Sequence, residues 1–172
     1  MKKFIDNAKD YAFKKHNMPS DSQWYGSLPY SKHLLDVLSN ADRYIHYIAE
    51  DKREIVRCAC LLHDTIEDTD TGPSDLEKMF NHEVADLVLR VSNERGWDRK
   101  ERNFKTYPKI WVNDLAIFVK LCDRMANTRN SKETGHTMYE VYRKEYPVFR
   151  YALKVRNLYP DMWAEMDELN KK

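Results

Sequence analysis

Apolar residues recur along nearly the whole chain at three- and four-residue spacing, and no segment alternates convincingly with a period of two. A chain patterned this way buries its apolar faces by packing helix on helix. Phe4, Ile5, Ala8, Tyr11 and Ala12 lie at helix-face spacing within residues 2–16. Leu34, Leu35, Val37, Leu38, Tyr44, Ile45 and Ile48 carry the pattern through residues 30–48, as one helix or two. Ile55, Val56, Cys58, Ala59, Leu61 and Leu62 predict a central helix ending near His63-Asp64, with Asp51 and Glu54 as its capping box. Ser74 with Glu77 predicts another capped helix to about Phe80, and residues 82–92 continue with Val84, Ala85, Leu87, Val88 and Val91.

From Asn113 a second core helix runs through Leu115, Ile117, Phe118, Leu121, Met125 and Ala126. Thr137 with Glu140 opens a further helix that Pro147 is expected to interrupt, and Pro160 starts a last one. Residues 17–29 hold Pro19, Gly26 and Pro29 and read as a loop; residues 93–107 are polar and mixed in charge. The expected fold class is all-α: a single helical bundle over residues 1–172.

Composition removes several function classes. Four Gly and six Pro are few for the tight turns of a β-sandwich, and Gly26, Gly72, Gly96 and Gly135 never cluster into a phosphate-binding loop. The 29 Lys and Arg nearly balance the 28 Asp and Glu, which argues against a nucleic-acid partner. No apolar run approaches the ~18 residues of a membrane span. Three cysteines, an odd count, with no secretory leader before them, fit a reducing cytoplasm. Cys58 and Cys60 stand two apart in a helical segment and point to different sides, which disfavours a cysteine metal site.

The densest chemistry is His63-Asp64-Thr65-Ile66-Glu67-Asp68-Thr69-Asp70, with four acids inside seven residues. An acidic run at a helix end is often a solvated turn. Here His63 and Glu67 stand at i,i+4, as do Asp64 and Asp68, so a continuing helix presents two ligand-type pairs on adjacent faces. Carboxylates packed this closely repel, so a cation is expected among them. Imidazole with carboxylate suits Mn²⁺, Fe²⁺, Zn²⁺ or Mg²⁺. Further ligands must come from elsewhere, and His33 and Asp123 are candidates; the alternatives are a partly exposed helix histidine and an Asp123 paired with Lys120 or Arg124.

Together these residues resemble the HD metal-dependent phosphohydrolases. The segments Pro29-Tyr30 with His33, Leu61 through Thr69, and Val119-Lys120-Leu121-Cys122-Asp123-Arg124 with Asn127 resemble more narrowly the hydrolase domain of the RelA/SpoT-type alarmone enzymes. Chain length is similar to the stand-alone small alarmone hydrolases, among them the metazoan SpoT homologues. The resemblance spans roughly residues 5–155.

It implies a metal-dependent phosphohydrolase with one divalent ion, Mn²⁺, on His33, His63, Asp64 and Asp123. Glu67 and Asp68 would position or deprotonate water or manage the leaving group's proton. Asn127, Tyr30 and Arg143 would meet the substrate, a small nucleotide. The implied reaction removes the 3′-pyrophosphate of guanosine tetra- or pentaphosphate, without a companion synthetase activity. The alternatives are a phosphatase acting on NADPH or another nucleotide, and a non-catalytic nucleotide-binding module; the intact set of acids and histidines argues against the last.

One departure stands out. Family members carry a basic pair in the loop before the first histidine, whereas residues 17–31 hold no Lys or Arg. An ungapped count back from His33 puts Trp24 and Tyr25 there. Such rings stack on a base, worth ~1–3 kcal/mol, but do not neutralise phosphate. Arg95, Arg99, Lys100, Arg102 and Lys105 offer compensating charge, yet Glu94, Asp98 and Glu101 are interleaved with them, and a solvated charged face is the first reading.

Overall fold

The computed structural model describes residues 4–16, 23–25 and 28–171. Its helices in chain order are α1 (Phe4–His16), α2 (Ser31–Tyr44), α3 (Arg53–Leu62), α4 (Thr65–Asp68), α5 (Pro73–Met79), α6 (His82–Val91), α7 (Arg99–Trp111), α8 (Asp114–Glu133), α9 (Met138–Leu153) and α10 (Pro160–Leu169). Two-residue strands β1 (Trp24–Tyr25) and β2 (Leu28–Pro29) pair antiparallel just before α2. They are too short to leave a period-two pattern in the sequence.

Helix α8 is the axis of the fold. Every residue from Ala116 to Ala126 is buried, as expected of a helix surrounded on all sides. It packs against α2, α3, α6, α7, α9 and α10. Helix α3, with Ile55, Val56 and Cys58 to Leu62 buried, lies between α1, α2, α6 and α8. The pairing of α2 with both central helices carries the start of α2, the end of α3 and the middle of α8 to one place. The three cysteines are free and buried, and among the described residues no helix is long and apolar enough to cross a membrane.

Several local expectations are corrected. Glu50–Lys52 winds as a 3-10 turn, so α3 starts at Arg53 and the Asp51–Glu54 capping box does not form. Helix α5 starts at Pro73, and Asp75 rather than Glu77 closes its end by accepting from the Gly72 N–H at 2.9 Å. Thr137 precedes α9 without a side-chain cap. Pro147 removes one backbone bond but does not interrupt α9, because Tyr146, Phe149 and Leu153 are buried around it. Helix α7 occupies most of the polar stretch. Asp98 caps it by accepting from Glu101 N–H at 2.8 Å, while only Thr106, Tyr107 and Ile110 are buried, too few for a visible apolar stripe.

Candidate active site

The turn between α3 and α4 sets the centre. Thr65 Oγ1 donates to the Leu62 carbonyl at 2.7 Å, a side-chain bond that competes with helix continuation. The helix breaks at His63 and Asp64, so the i,i+4 pairs do not share one continuous face. His63 and Asp64 turn inward, while Glu67 reaches Asn93, accepting from its backbone N–H at 2.6 Å and its side-chain amide at 2.8 Å.

Four donor groups converge. His63 Nε2 lies 2.9 Å from Asp64 Oδ2 and 3.6 Å from Asp123 Oδ1. His33 Nε2 lies 3.2 Å from His63 Nε2, 3.5 Å from Asp64 Oδ2 and 3.4 Å from Asp123 Oδ1. The His63 Nδ1 faces the Cys60 carbonyl at 2.9 Å; a carbonyl only accepts, so Nδ1 carries a proton and Nε2 is the atom that faces the cluster. The His33 Nδ1 is buried without a partner, and the Tyr25 ring packs 4.8 Å from the His33 ring.

The electrostatics call for positive charge. Burial disfavours an imidazolium at His63, yet Asp64 and Asp123 hold its pKa well above the ordinary value. Burial likewise opposes ionisation of Asp64 and Asp123. The two histidines, and for Asp123 also Lys120, hold both carboxyls well below the usual carboxylate range. The two imidazole nitrogens and the Asp64 carboxylate oxygen lie within 4.8 Å of one another and fit a divalent cation, with Asp123 Oδ1 beside both histidines.

Supporting bonds fix the donors. Tyr30 Oη donates to Asp64 Oδ2, and burial together with the Asp64 charge pushes the Tyr30 pKa up, keeping it a donor. Asn127 Nδ2 donates to Asp123 Oδ1 at 2.6 Å, and Lys120 Nζ lies 3.1 Å from Asp123 Oδ2. Lys120 stays charged despite burial because Asp123, Glu67 and Asp64 raise its pKa. Asp68 is pushed up to about 7, first by desolvation and then by Asp64 and Glu67.

A cavity of about 230 Å³ opens beside the cluster. Tyr30, Asp64, Glu67, Asp68, Asp123 and Asn127 line it together with Arg99, Arg102, Lys120 and Arg124, and Asn93, Asn103 and Tyr142 complete the lining. Glu145 pairs with Arg99 and Arg124, which hold its carboxyl below the usual range against the effect of burial.

Three residues named from the sequence as substrate contacts fall elsewhere. Neighbouring strand residues face opposite ways, so Trp24 is 66% exposed while Tyr25 is buried, donating to the Ala126 carbonyl at 2.8 Å. Arg143 pairs with Glu140 at 2.7 Å outside the cavity lining. The sequence suggests Lys120 and Arg124 as partners for Asp123 and gives no sign of Asn93. The available signal was two cations inside a stretch otherwise fit for the core.

Residues 8–150 match the HD domain family model. A Drosophila melanogaster protein, guanosine-3′,5′-bis(diphosphate) 3′-pyrophosphohydrolase MESH1, is 28% identical over 173 residues, covering 97% of this chain and 92% of the relative. The Mus musculus protein of the same name is 31% identical over 150 residues, covering 86% and 80%. A solved structure described as a metazoan ortholog of SpoT that hydrolyses ppGpp superposes with a TM-score of 0.74 at 25% identity, covering 98% of this chain and 94% of that one. The likeness runs through the segments that build the site, and the chain belongs to the HD-domain family, alongside the MESH1 pyrophosphohydrolases.

Proposed function

We propose that this chain is a Mn²⁺-dependent hydrolase that removes the 3′-pyrophosphate from guanosine tetraphosphate or pentaphosphate, leaving GDP or GTP. The observation that carries the reading is the convergence of His33, His63, Asp64 and Asp123 beside a cavity edged by Glu67 and Asp68. The MESH1 relatives and the solved SpoT ortholog supply the substrate class. Mn²⁺ is favoured by the family resemblance and by the mixed imidazole and carboxylate donors.

When bound, the ion supplies Lewis acidity towards a phosphoryl oxygen and lowers the pKa of water. Glu67, fixed by both Asn93 donors, orients the attacking water. Asp68 has no hydrogen-bond donor on its carboxylate among the described residues and takes up the released proton. Water oxygen bonds to the 3′-linked phosphorus, the P–O3′ bond breaks, and the nucleoside oxygen leaves with a proton as the 3′-hydroxyl. Asn127 and Tyr30 hold Asp123 and Asp64 in place at the cavity wall. A single domain over residues 1–172 is supported by the packing of α8 against six other helices, and a cytoplasmic location by three unpaired cysteines.

The test is a panel with Mn²⁺ over guanosine tetraphosphate, NADPH and common nucleotides, with pyrophosphate and phosphate measured separately. Pyrophosphate release from guanosine tetraphosphate is expected. Protein that carries metal by elemental analysis yet releases none overturns the reading; phosphate release from NADPH assigns the other substrate.

A further inference from the structure

Glu145 on α9 touches neither the donor cluster nor Glu67 and Asp68, yet it is tied to two cations of the cavity. Arg99 meets it with a two-pronged contact, Nε to Oε1 at 2.8 Å and Nη2 to Oε2 at 3.0 Å. Arg124 Nη1 donates to Oε2 at 3.0 Å. Both guanidinium groups lie over the Tyr142 ring, 5.7 and 4.9 Å from its centre, and Arg124 also lies 5.0 Å over Phe149.

A guanidinium has five N–H donors, and these contacts use two on Arg99 and one on Arg124. Several donors on each group remain for an anion. Charge points the same way. Two arginines against one glutamate leave a surplus of one positive charge, and Arg102, which lines the same cavity, has no acidic partner among the described residues. Lys120, in contrast, is committed to Asp123. Asp64 and Asp123 line the same cavity.

We propose that Glu145 is a positioning residue that orients Arg99 and Arg124 into a second anion subsite, which receives a substrate phosphate other than the one under attack. This rests on the nucleotide reading above. The forked, aromatic-backed arginine pair suits the oxygen geometry of a phosphate. It also answers the absence of Lys and Arg from residues 17–31: the charge that the family's loop pair provides comes here from α7 and α8.

Inorganic pyrophosphate titrated calorimetrically into metal-stripped protein isolates this subsite from the metal centre. Wild type should bind it, and Arg99→Gln should bind at least tenfold more weakly. Glu145→Gln separates two roles by sign. If Glu145 only cancels charge, its neutralisation tightens pyrophosphate binding; if it positions the arginines, binding weakens, by about fivefold or more. Unchanged or tighter binding by Glu145→Gln at an unchanged melting temperature overturns the positioning role. Should Glu145→Gln not fold, Arg99→Gln decides: an exposed change with unaltered pyrophosphate affinity overturns the subsite. In the Mn²⁺-loaded enzyme Arg99→Gln should raise KM with kcat within twofold. Wild type that turns over guanosine tetraphosphate but ignores pyrophosphate refutes the subsite alone, whereas wild type that binds pyrophosphate but turns over no nucleotide refutes the functional reading.

Discussion

Replacing Glu67 by glutamine separates metal binding from catalysis at this site. The Glu67 carboxylate is engaged by Asn93 through both oxygens, at 2.6 and 2.8 Å, and none of the donor-cluster contacts involves it. Glutamine keeps the shape and one carbonyl oxygen for the Asn93 N–H. Its amide nitrogen then confronts the Asn93 side-chain amide, so one charge-assisted bond is lost and the carboxylate that holds water is gone. Loss of the group that positions the attacking water costs ~10²-fold in rate, about 3 kcal/mol in the barrier at 1.36 kcal/mol per tenfold. Metal content should stay equal to wild type by elemental analysis, because His33, His63, Asp64 and Asp123 are untouched. The assay is pyrophosphate release from guanosine tetraphosphate at saturating Mn²⁺, read beside metal content on the same preparation. A variant retaining kcat within threefold, or one that loses its metal, refutes the assignment of Glu67 to water rather than to the ion.

Asp64→Asn removes a carboxylate 2.9 Å from His63 Nε2, and purified protein should carry less than a tenth of the wild-type metal by elemental analysis. Trp24→Ala should leave KM for the nucleotide within twofold, since Trp24 is 66% exposed and outside the cavity lining; a KM rise of tenfold would place a base on that ring. Glu165 accepts from Arg43 at 2.6 Å, and from Tyr44 and Arg129, tying α10 to α2 and α8. Glu165→Gln should cost about 2 kcal/mol at neutral pH, lowering the melting temperature by about 4–8 °C. Burial opposes ionisation of Glu165, but Arg43, Tyr44 and Arg129 depress its folded-state pKa. The stabilisation is therefore complete above the unfolded pKa of about 4.3 and lost as pH falls through the folded one. Thermal melts at pH 7 and pH 3 should show the gap between wild type and Glu165→Gln closing in acid; a gap that persists at pH 3 refutes the linkage.

The sequence made the donor cluster legible because its chemistry is costly anywhere else. An aspartate among Leu121, Cys122 and Met125 needs a partner if buried, and Asp123 has Lys120, Asn127 and two histidines within reach. The central helices were legible because apolar residues surround them. Helix α7 was not, because it rests on the bundle through Thr106, Tyr107 and Ile110 and otherwise faces outward. That exposure also concealed the part of the cavity that Arg99, Arg102 and Asn103 line. Arg99 and Arg102 alternate in sequence with Asp98 and Glu101, and a linear reading cancels their charges. The helix sorts them instead: Asp98 and Glu101 are spent on the α7 N-terminus and the Trp97 N–H, while Arg99 and Arg102 turn to the cavity.

The net charge of +1 therefore says little about what the molecule binds. Around the cavity, Asp64, Glu67 and Asp68 come from the α3–α4 turn and Asp123 from α8, while Arg99 and Arg102 of α7 and Arg124 of α8 line the same space. A neutral or purely cationic ligand would leave one of those charge sets uncompensated. A metal ion together with a polyanionic nucleotide compensates both, and only if the reacting phosphoryl lies towards Asp64 and Asp123 and the remaining phosphate towards Arg99 and Arg124. On the proposed reading, Arg99 and Arg124 meet the nucleotide's second phosphate without any basic residue in the loop before His33.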